Sequence, residues 1–347
     1  DCRLNGESTF TFKLPVNSSK IDKLTPDCEI WAGGRVFSLL KDEAADVERD
    51  QQGKLWAVFM AKEQWSDLQY QYPEPYINND PNIEEPMELE VIIVAGGSDL
   101  SDGRYEVGSA GHALYAVLQG SGWTVGTVDV TGMHDLETDK TNRLELVRAI
   151  QNIWGGYLVW DSVNKAVHLR DGGAWQNYTG FQVRYAKNLK HIKRTQSNRI
   201  ITKLYPFGHD DLDIASVNDG DKYITNHSYT SSDYIGVYKN QDIYEPDELL
   251  EKAAAELAIL CRPRFQYTVK IADLRTLPEY AHEDFAVGDM ADIIDPSVAA
   301  DSPRVRILRH KYNLFQPWDC EIELGDPLER FVEQLKASFD TSGLIDG

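Results

Sequence analysis

Four cysteines in 347 residues, none in a Cys-x-x-Cys pair and none beside a histidine, exclude a dense disulfide scaffold and the ligand spacing of a zinc finger. Cys2, Cys28, Cys261 and Cys320 read as buried free thiols, with a Cys2–Cys28 bond left open as the exception. No apolar run is long enough to cross a bilayer as a helix. No charged-then-apolar leader opens the chain. Asp1 stands where an initiator methionine would, so the chain reads as a fragment or a processed product with part of a first strand missing. Cations are scarce: 35 Lys and Arg face 56 Asp and Glu, a formal net charge of -21. Such a chain does not grip duplex DNA or an anionic membrane, because both affinities rest on cationic contacts. A surface past which DNA slides without sticking would need this charge, and simple solubility accounts for it as well.

Recognised catalytic patterns are also missing. His282-Glu283 begins like a zincin motif, but Ala286 occupies the place of the second histidine. No Gly-x-Ser-x-Gly elbow occurs. Asp210–Asp213 and Asn218–Asp221 carry hard oxygen ligands without the twelve-residue calcium loop, which leaves solvated turns. Gly96-Gly97 and Gly172-Gly173 lack a phosphate-cradling continuation. No catalytic, cofactor-binding or metal residue is assigned, and no cofactor is expected. Of the tryptophans, Trp31, Trp56, Trp65, Trp123, Trp154, Trp160 and Trp318 read mainly as core, while Trp175, among glycines and polar residues, is the exposed candidate for stacking a sugar. Lys187, Lys190, Lys193, Arg194 and Arg199 form the one basic patch. Without interleaved aromatics it reads as a solvated face or a salt-bridging partner for the surplus acids of another subunit, rather than a nucleic-acid groove.

The residues that are present suffice for about two to four modules. Ser8–Leu14 alternates with period two and Pro15 closes it. Ile30-Trp31 and Val36–Leu39 flank Gly33-Gly34 as a hairpin, and Leu55–Met60 continues as strand. Tyr72–Pro86, rich in Pro, Asn, Asp and Glu, is the best boundary; an apolar run over Glu88–Ala95 follows it. The centre runs from Ala110 to Asp171: a helix with Leu114, Val117 and Leu118, a short strand from Trp123, a second helix opened by Asn142 and Glu145 and buried along Leu144, Val147, Ile150 and Trp154, then strands Tyr157–Trp160 and Lys165–Leu169. Phe181–Val183 is strand-like. Further on, Pro246 starts a helix with a stripe of Leu250, Ala254, Leu257 and Leu260, ended by Pro263. Ile200–Tyr205 joins Phe265–Leu274, Met290–Ile294, Val305–Tyr312 and Cys320–Leu324 as the strands of a small, partly open barrel. Asp326, Pro327 and Glu329 open a last helix with Leu328, Phe331, Val332 and Leu335, which packs on its own domain or forms a three-helix seam.

Several separated blocks carry a resemblance. They are Leu4–Pro15; His112–Leu114 with Leu118, Gly122–Gly126, Asn142–Leu144, Trp154–Gly156, Trp160-Asp161 and Lys165–Val167; Asn198–Gly208; Gly288-Asp289; and Glu323–Gly325. Together they resemble a family of phage tail proteins called prophage tail endopeptidase or minor structural protein, which includes the N-terminal part of tail-associated lysins. The resemblance implies a mainly β, α+β chain built as a baseplate or tail-tip hub, with two small β-barrel tube domains and a peripheral α/β domain. On that reading 1–85 is a β-rich hub domain, 86–196 the peripheral domain, 197–326 the second barrel with an inserted loop and helix at 209–263, and 327–347 a helix and linker. It further implies a homotrimer in the virion tail, made in the bacterial cytoplasm, with the distal tail protein and the tail tube or tape-measure protein as partners. DNA would pass without specific binding, and host cell wall would lie within reach. A cell-wall hydrolase and a carbohydrate-binding tip module are the alternatives; lytic activity in the family usually sits in a module further along the chain.

Overall fold

The computed structural model of the chain describes residues 1–25, 28–39, 45–73, 90–93, 105–106, 108–134, 136–139, 141–197, 200–240, 243–280, 282–299 and 301–325. These form two compact units, the first comprising Asp1–Phe181, Asp273–Met290 and Arg309–Cys320, the second Gln182–Ala272, Ala291–Leu308 and Glu321–Gly347. The expected boundary at Tyr72–Pro86 and the helix from Pro327 lie largely or wholly outside the described residues.

Period-two sequences at the start of the chain build a five-stranded antiparallel sheet. After a short β1 (Cys2–Arg3) come β2 (Thr9–Pro15), β3 (Glu29–Ala32), β4 (Arg35–Leu39), β5 (Asp46–Arg49) and β6 (Leu55–Glu63). The order is β2-β6-β4-β3, with β5 on β6. Gly33 and Gly34, both at positive φ (57° and 75°), make the two-residue turn between β3 and β4, whose mirror-image geometry matches strand twist. Register sets Phe12 opposite Phe59, and the two rings stack at 5.2 Å.

The chain then turns α/β. β7 (Glu90–Ile93) is followed by α1 (Ala110–Leu118), β8 (Thr124–Val128), β9 (Leu136–Asp139), α2 (Arg143–Trp154), β10 (Tyr157–Asp161) and β11 (Ala166–Arg170); β7 pairs with β9. β11 is antiparallel to β10 and parallel to β8, so α2 lies in the connection from β8 to the β10–β11 hairpin of one small sheet. Asn142 caps α2 as its sequence demands, its Oδ1 accepting from the Glu145 N–H at 3.0 Å, and Ser109 caps α1. Leu114, Val117, Leu118, Leu144, Leu146, Val147, Ile150, Leu158, Val167 and Leu169 are buried together. Full burial of each such side chain contributes about 1.5–3 kcal/mol. Trp65, carried by the 3-10 helix Gln64–Tyr70 that leaves β6, enters the same core and stacks on Trp160 at 4.8 Å.

β12 (Tyr178–Arg184) contributes residues to both units; β13 (Leu189–Ser197), β14 (Lys203–Phe207), β15 (Ile224–Thr225), β16 (Ile235–Lys239), α3 (Pro246–Leu260) and β17 (Arg264–Ala272) belong to the second unit, while β18 (Met290–Ile294), β19 (Arg304–Asn313) and β20 (Gln316–Gly325) again contribute residues to both. One sheet has the order β12-β18-β19-β20-β17-β13, with β1 on β19.

Two expectations need correction. The stretch Ile200–Tyr205 does not join that sheet: β14 lies in a separate three-stranded sheet between β15 and a parallel β16, where Ile201 and Leu204 bury against Ala253, Leu257 and Leu260 of α3. Pro206 does not end the strand, because β15 pairs only with Lys203 and Leu204 and leaves an edge beyond them, where a proline is tolerated. The buried stripe of α3 is Leu249, Ala253, Leu257 and Leu260, and Ala254 is exposed. Adjacent Leu249-Leu250 and Ala253-Ala254 offer two stripes one residue apart, and tertiary packing chooses between them.

Candidate functional site

The residues singled out from sequence are dispersed and mostly committed. Trp175 is half-buried rather than an open platform: a Cβ on Gly288 would lie 2.0 Å from its Cη2, its ring meets Tyr157 edge-on at 6.3 Å, and the Arg170 guanidinium sits 5.3 Å from its centroid. A face against Gly288 has no room for a sugar. Asp213 accepts from the Ala215 N–H and pairs with Lys222, and Asn218 donates to the carbonyls of Asp221 and Tyr223, which makes these acidic stretches turns. His282 is exposed in a loop. Lys190, Lys193 and Arg194 stand on β13, an outer strand of its sheet, and Arg194 stacks on Phe265 at 4.4 Å while donating to the Val298 carbonyl. Arg199 lies outside the described residues. None of the four cysteines is disulfide-bonded, so Cys2 and Cys28 are not joined.

Two buried polar clusters in the first unit went unmarked by any motif. In one, Glu63 at the end of β6 is 1% exposed and receives Arg35 Nη1 on both carboxylate oxygens at 2.8 Å, Ser162 Oγ at 2.9 Å and Trp65 Nε1 at 3.3 Å. The Val36 N–H donates in turn to Ser162 Oγ at 3.1 Å. Burial alone would lower the charge affinity of Arg35, but the Glu63 carboxylate outweighs it and holds the guanidinium ionised.

The other cluster is organised by Asp273, directly after β17. Its Oδ1 accepts from the Arg275 backbone N–H and Nε, both at 3.0 Å, and its Oδ2 from Arg275 Nη2 at 2.7 Å. Arg275 Nη1 reaches Asp284 Oδ1 at 2.7 Å and the Phe285 carbonyl at 3.0 Å, with the guanidinium 4.0 Å above the Phe285 ring. Phe285 packs on Phe181 and on His310, and His310 stacks on Tyr312 at 4.6 Å. Cys320 of β20 completes the group: one ligand atom each of Asp273, His310 and Cys320 lies within 4.8 Å of the others, and all three residues are buried. Among the described residues no other three His, Cys, Asp or Glu side chains converge in this way. Burial would raise the Asp273 carboxyl, but the Arg275 hydrogen bonds hold it below the usual carboxylate range. Burial first, and then the Arg275 charge, push the His310 imidazole down to about 4, so it is neutral at pH 7.

Cysteine, histidine and aspartate are also the parts of a thiol hydrolase, yet the geometry differs. A working set needs the base hydrogen-bonded to the nucleophile, oriented by a third group and reached by substrate. Here Asp273 is engaged by Arg275, His310 Nε2 has no hydrogen-bond partner among the described residues, and all three residues are buried. The arrangement is a buried set of N, S and O donors.

The matches to known proteins follow the same two stretches that carry most of the architecture. Residues 177–335 match the family described as prophage endopeptidase tail, and residues 108–169 match the prophage endopeptidase tail domain. The chain is a phage tail protein of this family. The block at Leu4–Pro15 lies outside both matched ranges. Solved structures agree. Prophage tail protein gp18 from Listeria monocytogenes superimposes with a TM-score of 0.58 at 14% identity, over 98% of this chain and 90% of that one. The 43 kDa tail protein of prophage MuSo2 from Shewanella oneidensis gives 0.56 at 11%, over 92% and 88%, and a tail protein from Neisseria meningitidis 0.60 at 8%, over the same shares. Identities this low establish the shared fold. A comparison with curated proteins returns no match. The tail protein is thus mainly β within an α+β class, it belongs to the virion tail, and no helix among its described residues is long and apolar enough to cross a membrane.

Proposed function

We propose that this tail protein is a subunit of the tail-tip hub, three copies of which close a ring that continues the tail tube and passes the genome. The observation that carries the reading is a pair of curled sheets in one chain, each with outer strands that have a neighbour on one side only among the described residues: β2 and β3 in one, β12 and β13 in the other. Exposed strand edges are a liability that native proteins cover, and a closed ring of copies covers them without capping each sheet separately. The outer strands carry side chains suited to such contacts: Trp31 on β3, which, like Trp318, is exposed (63% and 50%) and not part of the core its apolar neighbours in sequence suggest, and Lys193 on β13, a cation for the surplus acids of a neighbouring copy. The net charge of -21 suits a lumen through which phosphates slide. The distal tail protein and the tube or tape-measure protein are the partners this role requires.

Light scattering of the purified chain tests the reading: a mass of three chains is expected, and a monomer throughout the micromolar range overturns it. Duplex DNA at physiological salt should show no anisotropy change. Zymography on host peptidoglycan should leave no cleared band; clearing would move the reading to the cell-wall hydrolase that the family description evokes.

A further inference from the structure

The trio of Asp273, His310 and Cys320 has no part in ring closure. Its members come from the end of β17, from β19 and from β20, and they bring an oxygen, a nitrogen and a sulfur within 4.8 Å of one another in the interior of the first unit. Neighbouring ligands on one tetrahedral zinc ion stand about 3.3–3.6 Å apart at the usual bond lengths, so small side-chain rotations bring three donors at this spacing onto one ion. A second observation is independent of the spacing. His310 is 8% exposed, and its Nε2 has no hydrogen-bond partner among the described residues. Buried polar atoms are nearly always paired, and one left over beside a carboxylate and a thiol is a donor waiting for an acceptor of its lone pair or its proton.

We propose that Asp273, His310 and Cys320 bind one divalent transition-metal ion, zinc by the character of the donors, as a staple between the strands and the loop that follows β17. A thiol and an imidazole are poor ligands for calcium or magnesium, whereas zinc accepts sulfur, nitrogen and oxygen together. Three protein ligands leave a fourth position for water. Binding releases the Cys320 thiol proton to solvent, and the thiolate so formed, together with the Asp273 carboxylate, balances the ion's two positive charges. Arg275 does not block the site. A carboxylate offers about four lone-pair positions. The three Arg275 N–H donors use three of them, with Nε shared between Oδ1 at 3.0 Å and Oδ2 at 3.1 Å, so an ion taking the fourth displaces only the longer Nε contact, and the guanidinium fixes the orientation of the carboxylate as an outer partner of the ion. Because Arg275 also holds Asp284 and the Phe285 carbonyl, a metal here pins the loop from Leu274 to Asp284 through the same arginine.

The test uses the full chain, stripped with EDTA and titrated with Zn²⁺ and, separately, Co²⁺. One equivalent should bind, Co²⁺ should give a thiolate charge-transfer band in the near ultraviolet, and Zn²⁺ at about a hundred times its Kd should raise Tm by about 5–10 °C. Cys320→Ser should abolish the band, and His310→Gln should weaken binding by more than about tenfold. Absence of stoichiometric binding, a Co²⁺ complex without the thiolate band, or unchanged binding in both variants overturns the site. The wild-type cobalt spectrum decides even if a variant fails to fold, and none of these outcomes depends on the number of copies in the ring.

Discussion

The two buried polar clusters of the first unit are built from similar parts and differ in how completely they are closed. Around Glu63 each carboxylate oxygen has its donors, and the arginine that neutralises it comes from the neighbouring strand. Around Asp273 the carboxylate is as well served, but the adjoining imidazole nitrogen is not. A saturated buried charge acts as a structural bolt, since each partner's desolvation is offset by the other. A cluster with a spare donor beside a thiol has capacity for something further. The difference separates a device that holds strands to a hairpin from one that can take a ligand.

The largest effect should come from breaking the closed cluster. Glu63→Ala leaves Arg35, Ser162 and Trp65 without their acceptor and should cost about 3–5 kcal/mol in urea unfolding, with Glu63→Gln clearly milder because it keeps an oxygen for Ser162. Next comes acid. With EDTA present, His310 in the folded chain resists protonation down to about pH 4, whereas the unfolded chain takes the proton near 6.5. Stability is therefore full above pH 6.5, falls as the pH drops through that window by up to about 3 kcal/mol, and flattens below it. Comparing wild type with His310→Phe isolates this slope from the carboxylates that titrate alongside, and parallel curves would refute the burial of a neutral imidazole. Gly288→Ala, at φ +99° and against Trp175, should cost about 1–3 kcal/mol through strain in the loop whose Phe285 packs on His310. Asn142→Ala, remote from both clusters, serves as the control: loss of the α2 cap should cost about 1 kcal/mol and leave the pH slope untouched.

Legibility in the sequence tracked the range of the interaction. The cap at Asn142, the glycine turn at Gly33-Gly34 and the strands from Tyr157 to Leu169 depend on neighbours a few residues away, and each appears where periodicity and turn chemistry put it. The choice between Leu249 and Leu250 for the face of α3, and the departure of β14 into its own sheet, depend on surfaces far along the chain, which no local pattern encodes. The clusters are the extreme case. Asp273, His310 and Cys320 follow no ligand spacing, and Cys320 sits in an ordinary alternating strand; only the pairing of strands brings them together. Recognition of the family succeeded where local chemistry was silent, because its signal is spread over many blocks that each constrain folding.

Electron microscopy of the purified, assembled chain tests the central claim most directly. The account predicts closed rings with threefold symmetry and an open lumen, the outer strands of one copy meeting those of the next. Isolated single chains at every concentration, or open filaments without a lumen, would contradict it.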